Sequence, residues 1–599
     1  MAQVKSKNKK LPAWDLTDLY KSIHDPKIKK DLEKYKKLNI DFAKKYKGKL
    51  AKLSVKDFAK AIKDIEEKST LARLIGNFAN LNMSTQMNNK EATAFYQNIS
   101  EKLNDFSKPS IFFSLELNKL SDEKIKTLLK DKDINKYKPF IERTRQFKPY
   151  ELSEEVEEVL QEKSVTSFDA WSRLYNEVCA KEKYKIKGKE YNDAEISQFL
   201  LGKDAALRKE AGLEVNRVKT KDGDLFAYIY NMIVKDCAIE EDKRGFKSPV
   251  SSMNLYNRVE DKTVVALSDS VRENYKKTAH RFYKLKAKWM GLKKLENWDR
   301  NAPLPFSDDS NYSWEEAVKI VLDSYRAFSP ELHKIAKNFF ENSWIDVPPR
   351  DGKRAGAFAA PVSAKHHPYL FLNFTGKKND ILTLAHELGH GCHMILSKKQ
   401  GELNDSTPLV LAEVASVFGE MLTFQSLLKK TKDDKQRLSL IASKVNDMLN
   451  TAIRQIAYHF FETRIHDERK KGELSKERIC KIWVEEISAS LGDSVNIDEK
   501  SQYGWAVVGH FFSVPFYVYA YSFADCLVNS LYRVYQDKSV SGFEEKYLHL
   551  LSETGIKKYD ELLKSFKLDA NKKDFWNKGV KLISDYIDEL ERLDKKLKL

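Results

Sequence analysis

Apolar residues recur three and four positions apart through most of this 599-residue sequence, and this spacing restricts its fold more than any other feature. Such spacing predicts amphipathic helices, because side chains three and four positions apart share one helix face. The predicted helices cover residues 28–46, 54–82, 90–106, 152–164, 260–295, 314–342, 433–468 and 574–597. Ser313 with Glu316, and Thr407 followed by Pro408, mark two further helix starts. We therefore expect a mainly α-helical protein.

Strand signals are confined to two places. Residues 183–191 alternate around a Lys-Gly turn and predict a hairpin. Residues 357–361 and 369–374 are short β-prone runs. The hairpin indicates a junction between domains, and we place a domain boundary after it, near residue 200.

Charge and cysteine content exclude several classes of protein. The formal net charge is +17, but Lys residues are interleaved with Asp and Glu, which is typical of solvated helix faces. The sequence contains no basic block with interspersed aromatic residues, so nothing in it predicts nucleic-acid binding. The five cysteines are far apart and include no Cys-x-x-Cys pair, so they fit neither a disulfide framework nor a cysteine metal site. We expect a reducing compartment.

Two segments bear on the location of the protein. Met1–Lys10 is basic, but Leu11–Asp15 follows where a secretion signal needs an apolar run. Trp505–Ala524 carries no charged residue over about 20 positions, enough to span a bilayer. It nevertheless contains His510, Pro515 and three tyrosines, whose polar groups would lack partners in lipid. We therefore expect a cytoplasmic protein without a membrane span, in which this segment forms a buried, kinked pair of helices.

The strongest chemical signal is a His-Glu-x-x-His motif in a predicted helix, for which Asn379 or Asp380 is the expected cap. Four helical residues turn about 400°, so His386 and His390 project from one face and can hold one zinc ion. Glu387 lies beside the metal position, where it can accept a proton from water. Because the motif occurs by chance in roughly one such chain in sixty, the residues that follow it are decisive.

Two histidine ligands require a third protein ligand and one open position. His393 lies seven residues after the first histidine and cannot easily join the same tetrahedral ion, so we interpret it as a supporting or core residue. Glu413 falls about one and a half turns into the next predicted helix, among apolar and small residues where a carboxylate needs a partner. We interpret Glu413 as the third ligand. Glu420, seven residues later, is placed to hydrogen-bond a ligating histidine.

Together these motifs resemble those of the thimet-type zinc oligopeptidases, and most closely the oligoendopeptidase F branch. The resemblance rests first on His386–His393, followed by Ala412–Ser416 with another Glu seven residues after the first. Three other segments are similar to the beginning, the Gly-rich loop and the transition-state segment of that branch: Pro12–Tyr20, Gly352–Phe358 and His510–Tyr521.

The resemblance implies a large, helical, zincin-type fold with a deep active-site channel and a small β element beside the zinc helix. It implies a helical N-terminal domain at 1–200 that ends in the hairpin, and a catalytic domain at 201–599. The β-prone runs 357–361 and 369–374 are expected to offer an edge strand to an extended peptide substrate.

The resemblance also implies roles for individual residues. It assigns one Zn²⁺ per chain to three ligands, His386, His390 and Glu413. Glu387 is then the general base and acid. His510 and a following tyrosine would donate hydrogen bonds to the oxyanion of the transition state; Tyr521 is our first choice and Tyr517 our second. In a regular helix Tyr517 lies one turn before Tyr521 on nearly the same face, and Tyr519 points elsewhere.

The implied function is that of a cytosolic zinc metalloendopeptidase acting on internal bonds of short peptides, without nucleic-acid or membrane partners. Two alternatives stay open. A peptidyl-dipeptidase needs a cationic residue for the terminal carboxylate of the substrate, and a non-catalytic peptide-binding relative would lack part of the catalytic set, which is complete here. A zinc aminopeptidase is disfavoured because its Gly-x-Met-x-Asn motif is absent. The sequence leaves side-chain preference and oligomeric state open.

Overall fold

The structure, a computed structural model, describes residues 11–306 and 310–599 and divides into two units. Within the described residues, the first unit comprises 11–148, 310–427 and 542–562. The second comprises 149–306, 428–541 and 563–599. The basic segment Met1–Lys10 lies outside the described residues. These units are spatial, so the sequence boundary near residue 200 stays a prediction.

The mainly α-helical class predicted from periodicity is confirmed. The helices are, in chain order, α1 (Pro26–Tyr46), α2 (Val55–Ser84), α3 (Lys90–Ser107), α4 (Phe112–Lys119), α5 (Asp122–Leu128), α6 (Lys132–Asn135), α7 (Lys138–Arg145), α8 (Glu154–Ser164), α9 (Phe168–Lys181), α10 (Asp193–Leu200), α11 (Ala205–Lys221), α12 (Gly223–Arg244), α13 (Ser251–Tyr256), α14 (Asp261–Glu273), α15 (Ala279–Trp289), α16 (Trp314–Phe328), α17 (Pro330–Glu341), α18 (Lys378–Ser397), α19 (Leu409–Ala412), α20 (Val414–Lys430), α21 (Asp434–Met448), α22 (Arg454–Arg469), α23 (Lys476–Leu491), α24 (His510–Ser513), α25 (Tyr519–Gln536), α26 (Phe543–Glu553), α27 (Tyr559–Lys564) and α28 (Lys573–Leu597).

Several predicted helices are divided where the backbone needs a cap or a turn. The run 260–295 is two helices, α14 and α15, and the run 314–342 breaks before Pro330, where the Ser329 side chain caps α17. The run 433–468 stays helical through a π-helical turn, Leu449–Ile453, between α21 and α22. The capping pair of Ser313 and Glu316 is confirmed at the start of α16.

The strands are short and form three small sheets. They are β1 (Tyr184–Ile186), β2 (Lys189–Tyr191), β3 (Leu295–Glu296), β4 (Ile345–Asp346), β5 (Phe358–Ala360), β6 (Tyr369–Phe371) and β7 (Val495–Asn496). The predicted hairpin is confirmed, since β1 and β2 pair antiparallel. Lys187 and Gly188 between them both have positive φ, at 48° and 78°, as tight hairpin turns require. β3 pairs in parallel with β7.

The sheet that precedes the zinc-motif helix has the strand order β4-β6-β5. The run 369–374, which we expected as an edge, contains the central strand β6, so that part of the expectation is wrong. Sequence proximity to α18 misled the interpretation, because the earlier strand β4 pairs in parallel with the outer side of β6. The edge on the other side is β5.

The N-terminal segment Pro12–Tyr20 packs against this sheet. The Trp14 ring lies 5.8 Å from the Tyr369 ring and 5.6 Å from the Phe371 ring. The Val347 amide donates to the Pro12 carbonyl at 3.0 Å. The first residues of the chain that the structure describes therefore support the sheet from which α18 departs.

Two segments are apolar enough to raise the question of a membrane. Trp505–Ala524 forms the short helix α24 and the start of α25, separated by a turn, so the predicted kinked pair of helices is confirmed. Among the described residues, Leu409–Lys430 has the length and composition of a membrane span, but 67% of its most apolar window is buried inside the protein. Such burial is typical of a core helix.

Candidate metal centre

The zinc-motif helix α18 is fixed at its start by one carboxylate. Asp380 Oδ2 accepts hydrogen bonds from the amide and hydroxyl of Thr375, at 2.7 and 2.8 Å, and from the Lys377 amide at 3.0 Å. The helix begins at Lys378, so Asp380 lies in its first turn and reaches back, and neither Asn379 nor Asp380 precedes the helix as we expected. A carboxylate in the first turn satisfies otherwise unpaired amides and complements the helix dipole.

His386 and His390 lie one turn apart on α18, with ring centroids 5.0 Å apart and ring planes at 80°. Each ring places its Nε2 atom 3.2 Å from Glu413 Oε2. One donor atom from each of the three residues lies within 4.8 Å of the others. Two imidazoles and one carboxylate are a donor set that suits Zn²⁺ and leaves a fourth position open. The residues therefore fit the zinc ion that the motif predicts.

Glu413 reaches the histidines from the break between helices α19 and α20. We expected it inside a helix capped by Thr407, but Pro408 is the capping residue, α19 lasts one turn, and the helix restarts at Val414. The Val417 amide donates to the Glu413 carbonyl at 3.0 Å, and the Ser416 hydroxyl donates to Glu413 Oε2 at 2.7 Å. These bonds fix the carboxylate at the start of α20. The break was not predictable because apolar residues surround Glu413 in sequence on every side.

Glu420 contacts the outer nitrogen of a candidate ligand. Its Oε2 lies 3.5 Å from His386 Nδ1, so it can hold the ring with Nε2 directed towards Glu413. Burial lowers the pKa of His386, but the hydrogen bonds with Glu413 and Glu420 outweigh it and raise the pKa to about 10. Burial conversely raises the pKa of Glu413, and the two histidines more than reverse this and lower it well below its usual range. The site is therefore built to concentrate negative charge around the histidines.

Glu387 lies next to the candidate ligands and is more deeply buried than they are. Its residue surface is 6% exposed, and burial raises the pKa of its carboxyl, opposed by the charges of His386 and His390. A raised pKa makes the ionised carboxylate a stronger base. His393 is also buried, but its Nε2 lies 2.7 Å from Thr554 Oγ1, and it is not among the clustered donors.

Helices α18 and α20 touch at their backbones. A methyl group at Gly389 would lie 2.5 Å from the Ala415 carbonyl oxygen, so no side chain fits there. The Tyr325 hydroxyl donates to the Ala385 carbonyl at 2.7 Å on the same helix. Sequence reasoning missed Gly389, although glycine inside a helical pattern is a signal of close packing. This approach sets the separation between the histidine helix and the carboxylate helix.

The second group of predicted residues lies in the second unit. His510 Nε2 and the Tyr521 hydroxyl are 3.3 Å apart, and the Tyr517 ring lies 5.2 Å from each of their rings. Burial lowers the pKa of His510, which favours a neutral ring with one N–H donor. α25 begins at Tyr519, so Tyr517 precedes the helix and does not lie one helical turn before Tyr521. Tyr519 is buried and accepts a hydrogen bond from Asn257 at 2.9 Å, away from the other two tyrosines as expected.

Comparisons with known proteins agree with these observations. Residues 198–582 match the family described as "Peptidase family M3", and residues 116–184 match the one described as "Oligopeptidase F". "Oligoendopeptidase F homolog" from Borreliella burgdorferi is 26% identical over 596 residues, covering 97% of this chain and 98% of that protein. "Oligopeptidase PepF" from Bacillus subtilis is 25% identical over 605 residues, covering 98% of this chain and 88% of that protein.

The fold is also found among solved structures. The crystal structure of oligoendopeptidase-F from Enterococcus faecium matches with a TM-score of 0.73 at 20% identity, covering 94% of this chain and 98% of that one. The family match spans more than half of the sequence and includes the zinc motif and Glu413. The chain therefore belongs to peptidase family M3, the zinc metallopeptidases that include oligoendopeptidase F.

Proposed function

We propose that this protein hydrolyses internal bonds of short peptides, with one zinc ion held by His386, His390 and Glu413. The observation that supports this most strongly is the convergence of both Nε2 atoms on one carboxylate oxygen at 3.2 Å. One zinc ion per chain is proposed because, within the described ranges, these residues form the one cluster of three suitable donors. When bound, zinc would polarise the peptide carbonyl and lower the pKa of a water molecule.

Glu387 is the proposed proton carrier. Its carboxylate would take a proton from the attacking water and deliver it to the nitrogen of the leaving amine. The buried position supports this role, because burial raises the pKa of the carboxyl and so strengthens it as a base. Glu420 would keep the His386 ring oriented while the reaction proceeds.

His510 and Tyr521 are the proposed donors to the oxyanion of the transition state. Their 3.3 Å contact and the neutral state favoured for His510 support this role. An imidazole N–H and a phenol O–H are both good donors. We prefer Tyr521 to Tyr517, because its hydroxyl contacts the histidine directly.

The free side of β5 is the proposed site for the substrate main chain. Leu370 of β6 donates its amide to the Trp344 carbonyl, away from β5. Since Ala359 is opposite Leu370 in the antiparallel register, its amide and carbonyl face the free side of β5. An extended peptide could pair there through its backbone, which predicts broad sequence tolerance.

Two arginines near the candidate site are paired with the protein, which disfavours them as anchors for the terminal carboxylate that a peptidyl-dipeptidase binds. Arg73 and Arg143 line a cavity of about 530 Å³ beside His390. Arg73 pairs with Asp405 at 2.9 Å and Glu402 at 3.1 Å, and Arg143 donates to two backbone carbonyls. Both guanidinium groups are thus paired within the protein, and a peptidyl-dipeptidase needs a cation for the substrate carboxylate.

The five free cysteines support a reducing, cytosolic compartment.

The test compares the zinc-loaded wild-type protein with Glu387→Gln on internally quenched peptides. We expect the variant to keep its zinc and to lose about 10²–10⁴-fold in kcat/KM. Mass spectrometry of the products should show internal cuts. Equal cleavage by both proteins would contradict the role of Glu387, release of C-terminal dipeptides would favour the peptidyl-dipeptidase, and binding without cleavage would favour a non-catalytic relative.

A further inference from the structure

The turn Val514–Val518 joins the helix of His510 to the helix of Tyr521 and contains a strained residue. Phe516 has φ +60°, a left-handed conformation that is strained for a non-glycine residue. The residue is also buried. Such a conformation persists only when its surroundings hold it in place.

A buried carboxyl on α22 holds this turn. Glu462 Oε1 accepts a hydrogen bond from the Phe516 amide at 2.9 Å, and Glu462 is 0% exposed. The Phe516 ring lies 6.2 Å from the His459 ring and 4.6 Å from the His466 ring. α22 therefore contacts the turn through one backbone hydrogen bond and two aromatic contacts.

Among the described residues, only one of the two oxygens of this buried carboxyl is paired. In the part of the chain that the structure describes, Glu462 Oε2 has no hydrogen-bond partner. Burial raises the pKa of Glu462 to about 8, opposed by the Phe516 amide. An apolar side chain of similar size would remove the unpaired oxygen but would leave the buried Phe516 amide without an acceptor. What only Glu462 supplies is an acceptor for the amide of the left-handed residue.

The start of α25 is held independently of this turn. Asn257 donates to the Tyr519 hydroxyl, which fixes the helix that bears Tyr521. The helix of His510 is packed through the buried Phe511 and Phe512, and the turn sets how this helix is joined to the helix of Tyr521. A release of Phe516 from its left-handed conformation would change the path of this turn.

We infer that Glu462 is a positioning residue, which sets the contact between His510 and Tyr521 through its hydrogen bond to the Phe516 amide. The inference rests on the proposed function, in which these two side chains donate to the oxyanion. It adds a residue outside the reacting groups whose loss should impair the transition state more than substrate binding.

The first test compares Glu462→Met, which removes the acceptor, with Glu462→Gln, which keeps a neutral acceptor of the same shape. We expect Glu462→Met to lower kcat by about 10-fold or more with KM within about twofold, and Glu462→Gln to keep kcat within about threefold of wild type. Glu462→Leu is the second apolar variant, for use if Glu462→Met fails to fold. Equal kcat in the Met and Gln variants would overturn the inference.

The second test asks whether Glu462 acts through Tyr521. In a double-mutant cycle, Glu462→Met should lower kcat by less than about threefold when Tyr521→Phe is already present. The same loss in both backgrounds would contradict action through the tyrosine.

Hydrogen–deuterium exchange separates this inference from the proposed function. The backbone amides of 511–521 should exchange faster in Glu462→Met than in wild type, and at the wild-type rate in Glu462→Gln. This readout needs no catalysis, so a wild-type protein that cleaves no peptide would refute the proposed function alone. Unchanged exchange in Glu462→Met would refute the inference that Glu462 holds the turn through the Phe516 amide.

Discussion

Two histidines of α18, His386 and His393, differ in pKa because their rings contact different neighbours. His386 faces two carboxylates, and its pKa rises to about 10. Burial lowers the pKa of His393 to about 4, and its Nε2 is already paired with Thr554. His393 lies only two turns after His386 on the same helix. Because its ring is neutral and its Nε2 is already hydrogen-bonded, it contributes to packing and not to metal binding.

This difference predicts graded effects of substitution on zinc affinity. His390→Gln should weaken zinc binding by more than about 100-fold, because it removes a ligand. Glu420→Gln should weaken it by about 10–100-fold, because it weakens the contact that orients His386. His393→Gln is the matched control and should stay within about threefold, since Gln can still bond Thr554. Competition with a chromogenic chelator measures all three. A large loss in His393→Gln would place that residue among the ligands.

The buried carboxyl of Glu462 predicts a pH dependence of stability. Its pKa is 4.5 as a reference and about 8 in the folded protein, so between these values the folded state holds a proton that the unfolded state has released. Stability therefore falls as the pH rises through this window, by up to about 1.4 kcal/mol per pH unit. Thermal unfolding at several pH values should show the stability of wild type falling relative to that of Glu462→Gln from pH 5 to 8. A constant difference would mean that the folded pKa is not raised.

At this scale, local rules predict some features of the site and not others. The spacing of His386 and His390 follows from helix geometry alone, and the need of a buried carboxylate for partners leads to Glu413. Glu462 carries no such signal, because its partner is the amide of a residue 54 positions away. Only the tertiary structure brings the two together.

Among the helices and strands, periodicity predicts which face is buried but not where a helix ends. It merges α16 with α17 and α14 with α15, because the apolar spacing continues across each break. It also misses the single turn of α19, since a break before a ligand leaves no mark in an apolar stretch. The order of strands in a sheet depends on contacts between distant segments, which explains why the central strand β6 was taken for an edge.

The close approach of α18 and α20 predicts a strong effect of one methyl group. Gly389→Ala would place a carbon 2.5 Å from the Ala415 carbonyl, so the helices must separate and move both histidines away from Glu413. We expect a loss of about 1–3 kcal/mol in unfolding free energy together with weaker zinc binding. Denaturant titration of the metal-free protein and chelator competition measure the two effects.

Gly76→Ala is the control for that substitution. Its added carbon would lie 3.3 Å from the mobile end of Leu103, and alanine is the better helix former. The control should stay within about 1 kcal/mol of wild type. Equal behaviour of the two variants would show that the helices are not in firm contact at Gly389.

At the scale of the whole molecule, we expect stability to come from the apolar cores more than from the metal. The first unit buries large apolar clusters that do not include the candidate ligands. Sequence reasoning predicts the helical class of such a chain, but not units assembled from three segments each, because their boundaries follow from contacts between residues far apart in sequence.

Removal of the metal should therefore abolish activity and leave the fold. After chelation we expect unchanged helical circular dichroism, a thermal midpoint lowered by a few degrees through loss of ligand binding, and recovery of activity on addition of zinc. Unfolding on chelation would show that the ion is part of the folding nucleus, as in small zinc domains.

The last segment of the first unit, residues 542–562, has a consequence for biosynthesis. It supplies Thr554 to His393, and its Tyr547 hydroxyl donates to the Val414 carbonyl at 3.0 Å, beside Glu413. A ribosome releases the zinc-motif helix long before it releases these supporting residues. At that stage the nascent polypeptide contains its candidate metal ligands but lacks the residues that support them. The first unit cannot be completed until translation has passed residue 562. Premature termination after Glu413 but before residue 562 should therefore yield inactive fragments, although they contain all three proposed metal ligands.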